Sequence, residues 1–178
     1  MITRLRGKLV AVDAGKAMIA VDAITYELLI PAADVEKLLD RISQQIEFHT
    51  MHYFEGQSQG SSFIPRLVGF SCDRDRDFFQ LFTTVKGIGN RKALRALVRP
   101  FGEIASAIAN KDAAALISLP EIGKRSADTI IAELSQRARH IRRYDRTDST
   151  IVKCVSVPLP DGATLVSFVD TTNATHVC

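Results

Sequence analysis

Two short segments of the sequence combine glycines with basic residues in a pattern suited to phosphate binding. VKGIGNRKA begins at Val85, and LPEIGKRSA begins at Leu119. Glycine permits a positive φ and leaves no side chain in the way of an anion, and outward N–H groups at a helix start attract negative charge. This spacing is typical of a helix-hairpin-helix motif, which holds the DNA backbone without reading bases. The residues predicted to bind DNA are Lys86, Gly87, Ile88, Gly89, Asn90, Arg91 and Lys92, then Ile122, Gly123, Lys124, Arg125 and Ser126.

The second segment is an imperfect copy of the first, displaced by 34 residues. The copies share an isoleucine, a second glycine and an arginine, but Glu121 stands where the first copy has Gly87. Because a carboxylate repels phosphate, we expect the second hairpin either to bind weakly or to turn Glu121 aside. A tetratricopeptide array has a similar period, but its aromatic and glycine signature is missing here.

Charge is distributed unevenly along the chain. Residues 65–146 hold 16 basic and 9 acidic side chains, whereas residues 1–64 hold 6 and 8 and residues 147–178 hold 1 and 3. A basic middle flanked by acidic ends is the distribution expected where a polyanion binds the middle of the chain. A basic face that is merely solvated would carry the same excess of positive charge. The hairpin pattern therefore has to distinguish polyanion binding from a solvated face.

Composition and cysteine spacing exclude several classes of protein. The 178 residues are 46% hydrophobic and 24% charged, as in ordinary soluble domains. The start, MITRLRGKLV, alternates charge with apolar residues unlike a signal peptide, so a cytoplasmic, non-membrane protein is expected. Cys72, Cys154 and Cys178 are too far apart for a zinc cluster. His49 and His52 would point to opposite faces of a strand, so no metal is predicted.

The hydrophobic pattern predicts an α+β, multidomain chain. Residues 1–70 read as about five strands with one short helix, which favours an OB-fold barrel and leaves an SH3-like barrel open. From Asp73 the period changes to that of helices, with about five short helices separated by Gly, Pro or Asn-Lys. We expect a tandem helix-hairpin-helix domain over residues 71–143. Residues 144–178 are predicted to be a linker and a poorly structured tail, with at most a lone β-hairpin.

Residues 1–143 resemble the RuvA family, whose members recognise Holliday junctions in bacteria. MITRLRGKL resembles the family's opening strand, LVGF its closing strand, and the two hairpin segments its tandem motifs in order and spacing. The resemblance implies a homotetramer that holds open four-way junction DNA during homologous recombination and repair. It also implies an acidic pin at the crossover, carried here by Glu55, with Gly56 in place of the family's second acid.

The resemblance further implies partners that would supply the chemistry. They are a RuvB-type AAA+ motor, normally docked by a three-helix carboxyl-terminal domain, and a RuvC-type resolvase. The tail here lacks an amphipathic helical repeat, so a branched-DNA scaffold without a motor is the alternative. No G-x-x-x-x-G-K-[ST] loop is present, and we predict no catalytic residues and no cofactor. LPEIGKRSA also resembles the hairpin segment of helix-hairpin-helix DNA glycosylases. In this sequence, however, Arg125 and Arg143 occupy the places of the catalytic lysine and aspartate of those enzymes.

Overall fold

The computed structural model describes residues 1–56, 63–142, 152–158 and 164–170, and it gives only the backbone beyond residue 135. Five strands form a closed barrel in the order β1-β2-β3-β5-β4. Strands β3 and β5 run parallel, and the other neighbours are antiparallel. This is the predicted OB-fold barrel. The strands are β1 (Arg4–Asp13), β2 (Lys16–Val21), β3 (Ile24–Leu29), β4 (Gln45–Gly56), β5 (Phe63–Phe70), β6 (Val152–Pro158) and β7 (Thr164–Asp170).

The helices of the second half follow the predicted change of period. A 3-10 turn (Ala32–Asp34) and a short first helix interrupt the barrel between β3 and β4, as the sequence pattern indicated. The remaining helices follow β5 and form one compact unit around a common core. The helices are α1 (Val35–Leu39), α2 (Asp73–Thr83), α3 (Asn90–Ala96), α4 (Phe101–Ala109), α5 (Ala113–Ile117) and α6 (Lys124–Arg142).

An apolar cluster that includes the end of β5 joins the barrel to the helices. Phe70, at the end of β5, is fully buried in the same cluster as the helical residues. Its ring centroid lies 5.0 Å from that of Phe79 on α2 and 6.4 Å from that of Phe101 on α4. The backbone N–H of Ala33 also donates to the carbonyl oxygen of Leu97, at 2.9 Å. Because large aromatic side chains dominate core energetics, these contacts fix the helical hairpins relative to the barrel.

Strand β4 extends beyond its pairing with β1. That pairing runs from Lys8 opposite Gln45 to Arg4 opposite His49, and β4 then continues to Gly56 paired with β5. The β4–β5 ribbon therefore projects past the end of the barrel and carries Glu55 near its tip. Residues 57–62, which join the two strands, lie outside the described residues.

The described part of the carboxyl-terminal tail is a single β-hairpin. Strands β6 and β7 pair antiparallel from Val152 opposite Asp170 to Pro158 opposite Thr164. The sequence pattern allowed at most such a hairpin, and the predicted linker and the rest of the tail lie outside the described residues. Within the described ranges, no helix is both long enough and apolar enough to cross a membrane.

A buried carboxyl lies beside the contact between barrel and helices. Asp34 is only 4% exposed, and its Oδ1 atom is 3.4 Å from the Lys37 ammonium. Its Oδ2 atom has no hydrogen-bond partner within the described part of the chain. Burial raises the pKa of Asp34 above the ordinary aspartate value, and Lys37 offsets only part of this effect. At neutral pH the fold therefore holds a poorly compensated charge.

We expect Asp34→Asn to raise the free energy of unfolding at neutral pH. A raised native pKa means that the folded state binds more protons than the unfolded state between the two pKa values, so stability falls as pH rises through that window. The substitution should remove this part of the pH dependence, as measured by urea unfolding at several pH values. Asp40→Asn, at an exposed position after α1, is the matched control. Destabilisation by Asp34→Asn at every pH would show instead that the Lys37 contact dominates.

Candidate nucleic-acid interface

Hairpin 1, residues 84–89, joins α2 to α3 through a turn anchored by two buried side chains. Val85 and Ile88 are each 2% exposed, and the N–H of Ile88 donates to the carbonyl oxygen of Val85 at 3.0 Å. Gly87 has a φ of +82°, a left-handed conformation that glycine takes without steric cost. Since both apolar residues point into the core, the backbone between them faces outward, with Lys86 and Gly87 exposed.

Hairpin 2, residues 118–123, repeats this geometry between α5 and α6. Leu119 and Ile122 are each 3% exposed, and the N–H of Ile122 donates to the carbonyl oxygen of Leu119 at 3.2 Å. Glu121 has a φ of +62° and so takes the conformation of Gly87, its counterpart in the first copy. The two segments are therefore equivalent in backbone as well as in sequence.

The glycine that directly precedes the second helix of each motif, Gly89 or Gly123, has no structural need to be glycine. Gly89 has a φ of −88°, which any residue can adopt, and a Cβ atom added at Gly89 or Gly123 would meet no described atom within 4 Å. Gly89 precedes α3 and supplies no side-chain cap for its first N–H groups. A bare backbone with unobstructed space in front of it allows close approach by an external acceptor such as phosphate.

The predicted site residues divide into an outward set and an inward set. The side chains of Ile88 and Ile122 are buried and shape the turns from within, whereas Asn90, Lys92 and Ser126 are partly exposed. The outward set brings four cationic side chains and three glycines to the surface of the two hairpins. The exposed members are Lys86, Gly87, Gly89, Arg91, Gly123, Lys124 and Arg125.

The helices that follow the two hairpins contact each other through equivalent positions. The Lys92 ammonium donates to Ser126 Oγ at 3.3 Å and to the carbonyl oxygen of Gly87 at 3.4 Å. Lys92 and Ser126 are 34 residues apart, which is the displacement between the copies. A residue that contacts its own counterpart lies on the axis of an approximate two-fold arrangement. The hairpins therefore form a pair with a defined relative orientation.

Glu121 is bound by an arginine that the sequence pattern did not assign to it. Arg95 Nε lies 2.6 Å from Glu121 Oε1, and Arg95 Nη2 donates to Glu121 Oε2 at 3.1 Å. This two-point contact turns the carboxylate toward α3, which is one of the two outcomes expected from the sequence. The left-handed backbone costs Glu121 about 1–2 kcal/mol, while an exposed ion pair returns at most about 1 kcal/mol. Folding stability alone gives no advantage over glycine at this position.

Glu55, the predicted pin residue, is held by two arginines in the structure. Its carboxylate accepts a hydrogen bond from Arg66 Nε at 3.0 Å and contacts Arg91 Nε in the first turn of α3. The hydrogen bond from Arg91, followed by that from Arg66, lowers the pKa of Glu55 below its ordinary value. Arg66 also lies 3.6 Å from Glu27, so the barrel face and the start of α3 share a row of alternating charges. The assignment of Glu55 as the pin stays a prediction. In the DNA-free protein the negative charge of Glu55 is balanced by the two arginines.

Histidine and carboxylate side chains form no metal centre in the part of the chain with described side chains. His49 and His52 both lie on β4, where residues three apart face opposite sides. His49 Nδ1 instead lies 2.8 Å from Asp73 Oδ1 at the start of α2. Partial burial alone would raise the pKa of Asp73, but the close contact with His49 and the charge of Arg76 hold it below its ordinary value.

An OB-fold barrel joined to paired helix-hairpin-helix turns, with open glycine corners and basic first helical turns, defines a class of nucleic-acid-binding protein. Comparison with known families agrees with this class. Residues 1–59 match the RuvA N terminal domain, and residues 79–136 match the SAM-like helix-hairpin-helix tandem.

Curated relatives extend the similarity across both domains. Over 137 residues, 77% of this chain, the sequence is 39% identical to a protein of Rhodopirellula baltica, of which 66% is covered. It is 37% identical over 78% of the chain to a protein of Desulforapulum autotrophicum, of which 63% is covered. A Leptospira biflexa protein is 28% identical over 96% of the chain, with 76% of that protein covered. All three are named Holliday junction branch migration complex subunit RuvA.

The chain belongs to the RuvA family. It spans just under two thirds of the length of the Rhodopirellula and Desulforapulum relatives. These matches confirm the resemblance to the RuvA family that the hairpin segments and the opening strand indicated. Sequence reasoning missed Arg66 and Arg95 as partners of acidic residues, because neither lies near its partner along the chain.

We expect Glu55→Gln to raise the affinity for linear duplex DNA by about two- to fivefold, because an exposed ion pair that competes for Arg91 is worth up to about 1 kcal/mol. The amide keeps the shape of the side chain but releases the guanidinium for phosphate. Fluorescence anisotropy titration at constant salt measures the change.

The control is the same substitution in an Arg91→Ala background, where the gain should largely disappear. An equal gain in both backgrounds would show that Glu55 acts by general repulsion of DNA and does not act through Arg91.

Proposed function

We propose that this chain binds Holliday junction DNA by its phosphate backbone, independently of base sequence, as the non-catalytic subunit of a branch migration complex in recombination and DNA repair. The observation that carries the proposal is the pair of open corners at Gly89 and Gly123, which no internal contact requires to be glycine. Basic side chains flank both corners. Contacts of this kind position a protein on DNA and carry no direct sequence information.

The relatives' names support the junction as the particular substrate. In this proposal the chain acts as a homotetramer, so that copies of the hairpin pair meet the separate arms of an open four-way junction. Each hairpin contributes a phosphate site, and affinity should therefore fall steeply with salt concentration. The site of action is the cytoplasm, where bacterial chromosomal DNA lies.

Glu55 would couple DNA binding to the crossover. When a phosphate takes the Arg91 guanidinium, the Glu55 carboxylate keeps Arg66 but loses its other neutralising partner. The tip of the β4–β5 ribbon then becomes more negative as hairpin 1 fills. A negative tip repels phosphates at the crossover and favours separation of the strands there, which is the role proposed for the pin.

ATP hydrolysis belongs to a RuvB-type AAA+ motor in this proposal, and a RuvC-type resolvase is a further possible partner. The second candidate function is a branched-DNA scaffold that acts without a motor. The β6–β7 hairpin favours this alternative, because the resemblance implies a three-helix docking domain in the region proposed as the tail, residues 144–178.

We expect Gly89→Ala to lower the affinity for a synthetic four-way junction by about tenfold, the effect of losing one charge-assisted contact of about 1.4 kcal/mol. The methyl group meets nothing in the protein but occupies the space through which phosphate approaches. The slope of log affinity against log salt should fall by about 0.9 for each phosphate released. Unfolding free energy should change by less than about 1 kcal/mol.

Gly102→Ala is the matched control, since a Cβ atom there also meets no described atom within 4 Å and the residue lies on α4, outside both hairpin segments. It should leave junction affinity unchanged. Wild-type affinity for both variants would remove the main support for the phosphate-binding corners.

We expect the immobilised full chain to capture a RuvB-type motor, with capture lost when residues 144–178 are removed. Junction binding by the shortened chain, measured in parallel, serves as the control for folding. No capture by the full chain, with junction binding intact, would favour the scaffold function.

A further inference from the structure

We infer that Arg95 and Glu121 are positioning residues whose ion pair holds the two hairpins at the spacing needed to grip one DNA backbone path together. The inference rests on the proposed function and deepens it. It concerns residues that the motif pattern does not assign to DNA binding, one of which replaces a glycine of the motif.

The ion pair connects the two halves of the interface directly. Arg95 lies on α3, which begins immediately after hairpin 1, and Glu121 lies at the corner of hairpin 2. The contact uses both carboxylate oxygens, at 2.6 Å and 3.1 Å, and a planar guanidinium in this arrangement fixes orientation as well as distance.

A second contact makes the restraint specific. Lys92 links the Gly87 carbonyl oxygen of hairpin 1 to Ser126 in the first turn of α6. Two separate links restrict rotation of the hairpins as well as their distance, in addition to the packing of the shared apolar core. The Arg95–Glu121 pair therefore reinforces an orientation that the core and Lys92 already favour.

Glutamate has two disadvantages relative to glycine at position 121. Its left-handed backbone is one that glycine would adopt freely, and its negative charge lies on a surface proposed to face phosphates. Pairing with Arg95 cancels the charge, but a glycine would avoid it altogether. A positioning role gives the side chain a function that glycine cannot perform, since only a side chain can reach α3.

The spacing matters because phosphates are fixed along a duplex. Once hairpin 1 holds one phosphate, the positions of its neighbours are set by the DNA, and hairpin 2 binds well only if it is already in register. A preorganised pair avoids the entropy cost of ordering the second hairpin at the moment of binding.

The test is the double variant Arg95→Met with Glu121→Gln, which leaves the net charge of the chain unchanged. We expect affinity for a synthetic four-way junction to fall by about fivefold, of the order of an exposed ion pair's worth, while the salt slope and the thermal midpoint stay close to wild type. The charge-swapped variant, Arg95→Glu with Glu121→Arg, restores the pair and should recover affinity to within about twofold of wild type.

The effect of Arg125→Ala on junction affinity, compared between two backgrounds, distinguishes a positioning role from a simple loss of stability. Arg125→Ala should weaken junction binding less in the Arg95→Met, Glu121→Gln background than in the wild type, because hairpin 2 is already out of register there. If the swapped chain folds poorly, this comparison decides. Wild-type affinity of the neutral double variant, or an equal Arg125→Ala effect in both backgrounds, would overturn the inference.

Gly89→Ala in the same titration separates this inference from the proposed function. A loss of affinity with Gly89→Ala, but none with the neutral double variant, would reject the positioning role and leave phosphate binding by the hairpins standing. No loss with either would reject the proposed function itself.

Discussion

The arrangement depends on a steric constraint at two corners of the chain. Each hairpin must reverse direction between two buried apolar residues, and it does so by placing the residue between them in the left-handed region, Gly87 in one copy and Glu121 in the other. Because Ile88 and Ile122 are pulled into the core, the amides beside them face outward. Burial of the two isoleucine side chains therefore creates a surface suited to anions, although these side chains are themselves almost fully shielded from solvent.

Helix α3 is where the charges of the interface are balanced. Arg91 and Arg95 lie one turn apart on this helix, and each holds a carboxylate from a different part of the molecule. Arg91 pairs with Glu55 from the barrel, and Arg95 pairs with Glu121 from hairpin 2. Arg91 is exposed over more than half of its side-chain surface, so DNA can reach it. The helix thus links barrel, first hairpin and second hairpin, and phosphate can compete with Glu55 for Arg91.

Much of the fold and of the hairpin pair follows from local sequence. Alternation in the first 70 residues indicates the barrel, and the displacement of 34 residues between the copies aligns Glu121 with Gly87, which have the same backbone conformation. The acid–base partners could not be found in this way. Arg95 and Glu121 are 26 residues apart, and their meeting depends on how the intervening helices pack. The extension of β4 past β1 was also hidden, since pairing length depends on where the partner strand ends.

In the proposed function, selectivity for a branched substrate has to come from geometry. Every contact proposed for the hairpins is made to phosphate, and phosphates on a linear duplex and on a junction arm are chemically the same. Stronger individual contacts would therefore raise affinity for all DNA equally. What differs between the two substrates is the relative placement of backbones around a crossover, and a protein can read it only by holding several phosphate sites in fixed relation. Residues proposed to set spacing, such as Arg95 and Glu121, then bear on specificity more directly than the lysines proposed to touch DNA.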